Sequence, residues 1–190
     1  GDLLKALPAL GEVMVLTRNE HVVHEKTGTF SNVSVTGPMG LVLSRDIDLR
    51  VFLGRWASGY AVTEETASGE RHSLQFFGGD GVALHKIYIP AIADTAAYEK
   101  LVGDFLSGDQ APGQAVTAAE PAAPDGPDGG IDADALRADW LALSDVHDFM
   151  AMLRRYKAGR IQAMRLVGDD LARRVPPAAF TQAIESAAQR

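Results

Sequence analysis

The 190-residue chain contains no cysteine, which excludes structural disulfides, thiolate zinc sites and a cysteine nucleophile, and fits a reducing compartment. No apolar run approaches the roughly 18 residues needed to span a bilayer, and no signal-peptide pattern opens the chain. The expectation is a soluble, cytoplasmic protein. Positive charge is in deficit: a formal net charge of −7 argues against a general binder of nucleic acid or anionic membrane, since both need a basic surface. No nucleophile motif of the G-x-S-x-G type is present. Gly78-Gly79-Asp80-Gly81 is glycine-rich but joins two β-type runs, with no helix after it to receive a phosphate, so it is read as a hairpin turn. No internal repeat at a fixed period appears.

What is present is enough apolar residue, 46%, to bury a core. Charge is spread unevenly: residues 1–106 carry 9 basic and 13 acidic side chains, 107–130 carry 0 and 4, and 131–190 carry 9 and 8. An anionic ligand is therefore expected to be held by the last third.

Taken in order, Asp2–Leu10 predicts a helix end interrupted by Pro8. From Gly11 the period shortens to β-type runs divided by turn residues. Val13–Thr17 and Val22–Glu25 flank the hairpin turn Arg18-Asn19-Glu20, and Phe30–Val35 alternates up to Gly37-Pro38. Leu41–Leu43, Leu49–Phe52, Tyr60–Thr63, Ser73–Phe77 and Val82–Ile89 follow. Closely spaced strands without intervening helices predict an antiparallel sheet, with helix Ala93–Leu106 packed across one face. The segment 107–130 then holds four of the nine prolines, five glycines and no aromatic residue, and reads as a linker. As a flexible coil it would span roughly 27 Å. The fold class is α+β: a sheet domain over 1–106, the linker, and an all-helical module over 131–190.

In that module Asp132 is expected to cap Ala133–Leu143, Arg160–Val175 to form a third helix stopped by Pro176-Pro177, and Ala178–Ala188 a fourth. Between them, Ser144 to Arg160 carries helix signals at both ends, with Ser144 as N-cap and Gly159 as terminator. Its apolar face is Phe149, Met152, Leu153 and Tyr156. His147 falls on the opposite side, followed one turn later by Met150, Ala151 and Arg154.

Taken alone, His147 is either a structural surface histidine or a ligand. Its place near a helix N-terminus disfavours imidazolium and favours a neutral ring able to bind a metal. The apolar Met150 and Ala151 beside it, and the cluster Arg154, Arg155, Lys157 and Arg160, would suit haem iron and its propionates. The other histidines offer less. His21 and His24 sit three apart in a hairpin and face opposite sides. His72 and His85 lie in separate strands and are read as structural.

The same stretches carry a resemblance. LTRNEHVVHEKTGTF (Leu16–Phe30), IDLRVFLGRWASGYAV (Ile47–Val62), SLQFFGGDGVALHKIYI (Ser73–Ile89) and WLALSDVHDFMAMLRRY (Trp140–Tyr156) closely resemble the bacterial haem-utilisation proteins of the HemS/ChuS/HmuS type, the hemin-degrading factors. The resemblance implies a cytoplasmic protein of haem uptake and iron acquisition, which receives haem after its import, hands it on, and in some members degrades it. It implies His147 as the iron ligand, Arg50 of the DLR motif on the opposite side of the haem, and Arg160 as a propionate partner; Arg154, Arg155 and Met150, read from the residues around His147, are further candidate contacts. Arg50 also has a plainer reading as an edge residue sharing a face with Phe52. The partners implied are haem, an inner-membrane haem importer and a downstream haem oxygenase. The family's plan is a tandem repeat. This chain matches its first sheet and the opening helices of its second half, so a homodimer or domain swap is one way to supply the remaining contacts.

Three function classes are open at this point: a haem carrier, a haem-degrading enzyme that draws on an external reductant, and a helix-turn-helix DNA-binding module in Trp140–Arg190. The overall acidity counts against the last.

Overall fold

The computed structural model describes residues 1–90, 95–121 and 123–189, and they form two compact units, Gly1–Glu120 and Pro121–Arg190. The class is α+β, as expected. The short helix α1 (Asp2–Ala6) gives way at Pro8 to a 3-10 turn over Leu7–Leu10. Leu4, Leu7 and Leu10 point inward as the first layer of the core. Strands β1 (Glu12–Arg18) and β2 (Val23–Thr29) form the predicted hairpin. Asn19 makes its turn by accepting the backbone N–H groups of His21 and Val22 on Oδ1, each at 2.8 Å.

Where one sheet was expected there are two. Strands β3 (Ser34–Thr36), β4 (Met39–Leu43) and β5 (Asp48–Phe52) make a three-stranded antiparallel sheet in the order β3-β4-β5. Strands β6 (Ser58–Thr66), β7 (Gly69–Phe77) and β8 (Ala83–Tyr88) join β1 and β2 in a five-stranded antiparallel sheet in the order β2-β1-β8-β7-β6. Two glycines permit close approaches within this unit. A Cβ at Gly28 would come within 2.7 Å of Cβ of Asp46, and one at Gly40 would collide with the Leu4 side chain. The expected strand Phe30–Val35 is also cut short: Asn32 adopts φ +48°, which ends the extended run, and only Ser34–Thr36 pairs.

Period-two alternation sends Val13, Val15, Leu74, Phe76 and Ile87 to the same face of the larger sheet, where they meet Phe30, Val42 and Ile47. Helix α2 (Ala96–Phe105) adds Tyr98 and Leu101 to this core. Ala93 and Asp94, expected to begin that helix, lie outside the described residues. After it, no described residue of 106–127 belongs to a regular element, yet part of the stretch is anchored. The Tyr60 hydroxyl donates to Oε1 of Gln114 at 3.0 Å, and the Thr117 N–H donates to the Gly79 carbonyl at 2.8 Å.

The second unit is helical: α3 (Ala133–Leu141), α4 (Phe149–Tyr156), α5 (Arg160–Leu166) and α6 (Ala178–Ala188). Asp132 caps α3 as predicted, with Oδ1 accepting the Ala135 N–H at 3.0 Å. The core is Leu136, Met152, Leu153, Ala163 and Val167, and Phe149 meets the Trp140 ring edge-on at 4.8 Å. Helix α5 is shorter than expected. Gly168 turns left-handed at φ +94°, and Arg137 captures the freed carbonyl of Val167 while pairing with Asp170. No helix of the described residues is long and apolar enough to cross a membrane.

Candidate functional site

Strand β5 sets the environment of Arg50. The burial of β5 alternates, so that Leu49 and Val51 turn inward while Asp48, Arg50 and Phe52 turn out. The register places Leu41 opposite Arg50, Met39 opposite Phe52 and Leu43 opposite Asp48. Arg50 therefore projects from a face that also carries Met39, Leu41, Leu43 and Phe52, and Phe52 is 53% exposed. Among the described residues no carboxylate pairs with Arg50. An exposed apolar face with one uncommitted guanidinium at its centre is suited to a flat, largely apolar ligand with an electron-rich or anionic group.

The predicted helix Ser144–Arg160 is two shorter pieces and a turn. The Asp148 N–H donates to the Asp145 carbonyl at 3.1 Å, closing a 3-10 turn over Val146–Asp148, and α4 starts only at Phe149. Ser144 is therefore not its cap, and the backbone of His147 lies in the turn that leads into α4 rather than in its first turn. The direction expected for the His147 side chain lies outside the described residues. The far end shifts as well. Lys157 turns left-handed at φ +51° and the Ala158 N–H reaches back to the Leu153 carbonyl at 3.0 Å, so α4 stops at Tyr156. Gly159 begins α5 instead.

Phe149, Met152, Leu153 and Tyr156 face the core as the spacing predicted. On the outside, the cations separate by their partners. Arg155 is committed to Asp139, with Nη1 and Oδ2 2.6 Å apart, and the same oxygen accepts the Tyr156 hydroxyl at 2.6 Å. That bond to Asp139 holds the Tyr156 phenol above its ordinary range. Arg165 pairs with Asp128 and Arg137 with Asp170. Arg154, Lys157 and Arg160 meet no carboxylate among the described residues. Arg160 instead places Nη2 3.4 Å from Sδ of Met150 and its guanidinium carbon 5.9 Å from the centre of the Phe149 ring.

Sequence reasoning missed the residue that fixes this corner. Gln162 is fully buried, its Nε2 donates to the Gly126 carbonyl at 2.7 Å and to Oδ1 of Asp128 at 2.9 Å, and its Oε1 accepts the Gly159 N–H at 3.2 Å. The bond from Gln162, reinforced by Arg165, holds the Asp128 carboxyl below its ordinary range. A lone glutamine between Ile161 and Ala163 gave no signal of this. His85, expected to be structural, is a second buried polar group, set in β8. Its Nδ1 lies 2.9 Å from Oγ1 of Thr17, and burial lowers its pKa to about 4.

His21 and His24 are exposed on the first hairpin, and His72 bonds Thr63 beside Tyr98. Among the described residues no three His, Asp or Glu side chains converge as a metal site. A half-open cleft of about 430 Å³ lies between β6, β7, the end of α2 and residues 106–113. None of the predicted site residues lines it.

Compared with known proteins, residues 1–105 match the family described as the haemin-degrading HemS.ChuX domain. The hemin transport protein HemS of Yersinia enterocolitica is 42% identical over 193 residues, an alignment that takes in 98% of this chain and 54% of that protein. The crystal structure of holo-PhuS, a heme-binding protein from Pseudomonas aeruginosa, superposes with a TM-score of 0.91 at 44% identity, covering 99% of this chain and 55% of that one. The heme degrading enzyme ChuS of Escherichia coli O157:H7 gives a TM-score of 0.85 at 41% identity over 99% of this chain and 54% of its own. The chain thus spans about half the length of the relatives it matches.

Proposed function

This chain belongs to the family of the haemin-degrading HemS.ChuX domain, and from that membership we propose that it binds haem as cargo in haem uptake and iron acquisition. The observation that carries this reading is the uncommitted Arg50 on the apolar outward face of β4 and β5. Haem is flat and apolar with two propionates at one edge, and a site for it needs apolar area together with cations not already neutralised by protein carboxylates. Met39, Leu41 and Phe52 offer the area, and Arg50, Arg154 and Arg160 are such cations. Arg155 is left out of the ligand set because Asp139 holds it. His147 is assigned to iron from its place in the family motif, with Arg50 on the other side of the macrocycle. The protein's part is to desolvate the ring, orient it through its propionates and hold it at iron. Redox chemistry, where it occurs, is supplied by haem itself and an external reductant.

Titration with hemin tests the assignment. The parent chain is expected to give a shifted Soret band, His147→Ala to lose most of the affinity or change the band position, and Arg50→Ala to show a smaller effect at the sixth coordination position. An unchanged spectrum and affinity in His147→Ala would refute the ligand assignment. A second reading, degradation rather than carriage, is favoured by the likeness to a heme degrading enzyme. Adding a reductant to the haem complex with catalase present separates the two: steady loss of the Soret band means turnover, and persistence means a carrier.

A further inference from the structure

We propose that Met150 is a positioning residue for Arg160, holding its guanidinium uncommitted on the surface of α4 for a carboxylate-bearing ligand, which on the haem reading above is a propionate. Three arginines of this unit, Arg137, Arg155 and Arg165, are tied to aspartates. Arg160 is treated differently. Its guanidinium rests 3.4 Å from the Met150 thioether and over the Phe149 ring at 5.9 Å. A thioether is a weak acceptor and a ring face a weak cation site, so both restrain an arginine without neutralising it. A carboxylate in the same place would hold the side chain more firmly and cancel its charge towards any anion.

The other end of Arg160 is fixed as well. Gly159 precedes it in the chain, and the Gly159 N–H is bound by buried Gln162. A Cβ at Gly159 would collide with the Asp125 carboxylate, so the turn is packed close on the chain before α3. With the preceding Gly159 held by Gln162 and its own tip by Met150 and Phe149, Arg160 loses rotamer freedom before the ligand arrives. That is preorganisation, and it lowers the cost of pairing with an anion. Met150 is 44% exposed, which suits a side chain that acts through a neighbour rather than through burial.

The test compares hemin with hemin dimethyl ester, which has the same ring and iron but no carboxylates, on the parent chain and on Arg160→Ala, Met150→Ala and Met150→Leu. The parent is expected to prefer the diacid by about tenfold, in keeping with a charge-assisted pair. Arg160→Ala should remove most of that preference. Met150→Ala should cut it about threefold, the scale of an exposed cation–π contact, while diester affinity and Soret position hold. Met150→Leu restores bulk without an acceptor and should fall between parent and Ala. Equal weakening of both ligands in Met150→Ala would mean a simple apolar contact, and an unchanged ratio would mean no role; either overturns the proposal. Failure of the parent to bind either ligand refutes the haem reading instead. The seat is then judged by ¹⁵N relaxation of the Arg160 side chain. It should be restrained in the parent and freer in Met150→Ala, and equal mobility overturns it.

Discussion

Thr17 and His85 share a hydrogen bond across adjacent strands, with Oγ1 2.9 Å from Nδ1, while the other ring nitrogen of His85, Nε2, is buried without a partner among the described residues. The ring lies parallel to Trp56 at 6.0 Å, and Trp56 in turn stacks on Phe76 at 4.0 Å. No described residue at Nε2 accepts a second proton's hydrogen bond, so burial selects the neutral ring.

A pH dependence follows. Burial lowers the His85 pKa from 6.5 to about 4, so the unfolded chain takes up a proton at a higher pH than the folded one. The neutral ring's stability is complete above pH 6.5 and is lost as pH falls towards 4, by up to about 3 kcal/mol. Urea unfolding of the first unit across that window should show the decline, and His85→Phe should flatten it. Equal slopes in parent and variant would assign the acid sensitivity elsewhere.

Gln162→Leu should destabilise the helical unit by roughly 2 kcal/mol, because it leaves the Gly126 carbonyl and the Gly159 N–H without their buried partner. The Asp128 carboxyl, held low chiefly by Gln162, should move up towards its ordinary range in the variant. Carbon-detected NMR titration of Asp128 reads this directly. No movement would mean that Arg165 alone sets it.

Gly40→Val should cost roughly 1–3 kcal/mol by overpacking against Leu4, and Gly40→Ala less. Thermal unfolding gives the ranking. A valine tolerated without loss would show that α1 can move aside from β4.

Much of this was legible in the chain because it is local. Asp132 before an apolar-periodic run predicts a cap, and Phe149, Met152, Leu153 and Tyr156 predict a buried stripe, since both signals depend only on neighbours within a turn or two. The split of the strands into two sheets was not legible: it is set by long-range strand pairing, and approaches such as Gly28 to Asp46 and Gly40 to Leu4 are made only once the chain has folded. Ser144 was mistaken for a cap because a 3-10 turn and a first helical turn share the same residue preferences. The division of arginines into committed and uncommitted was likewise hidden. Arg155 finds Asp139 sixteen residues away, on another helix.

The Pro- and Gly-rich stretch, whose composition predicts one loose coil, is anchored on both sides. Thr117 is bonded to Gly79 on the near side, and Gly126 and Asp128 are bonded to Gln162 on the far side. Between the bonded residues Thr117 and Gly126 the backbone takes nine steps, at most about 30 Å, where the whole 24-residue stretch would allow about 80 Å. Its length, rather than its composition, then sets how concentrated each half is in the presence of the other. Residues inserted between Ala118 and Pro124 would lower that effective concentration.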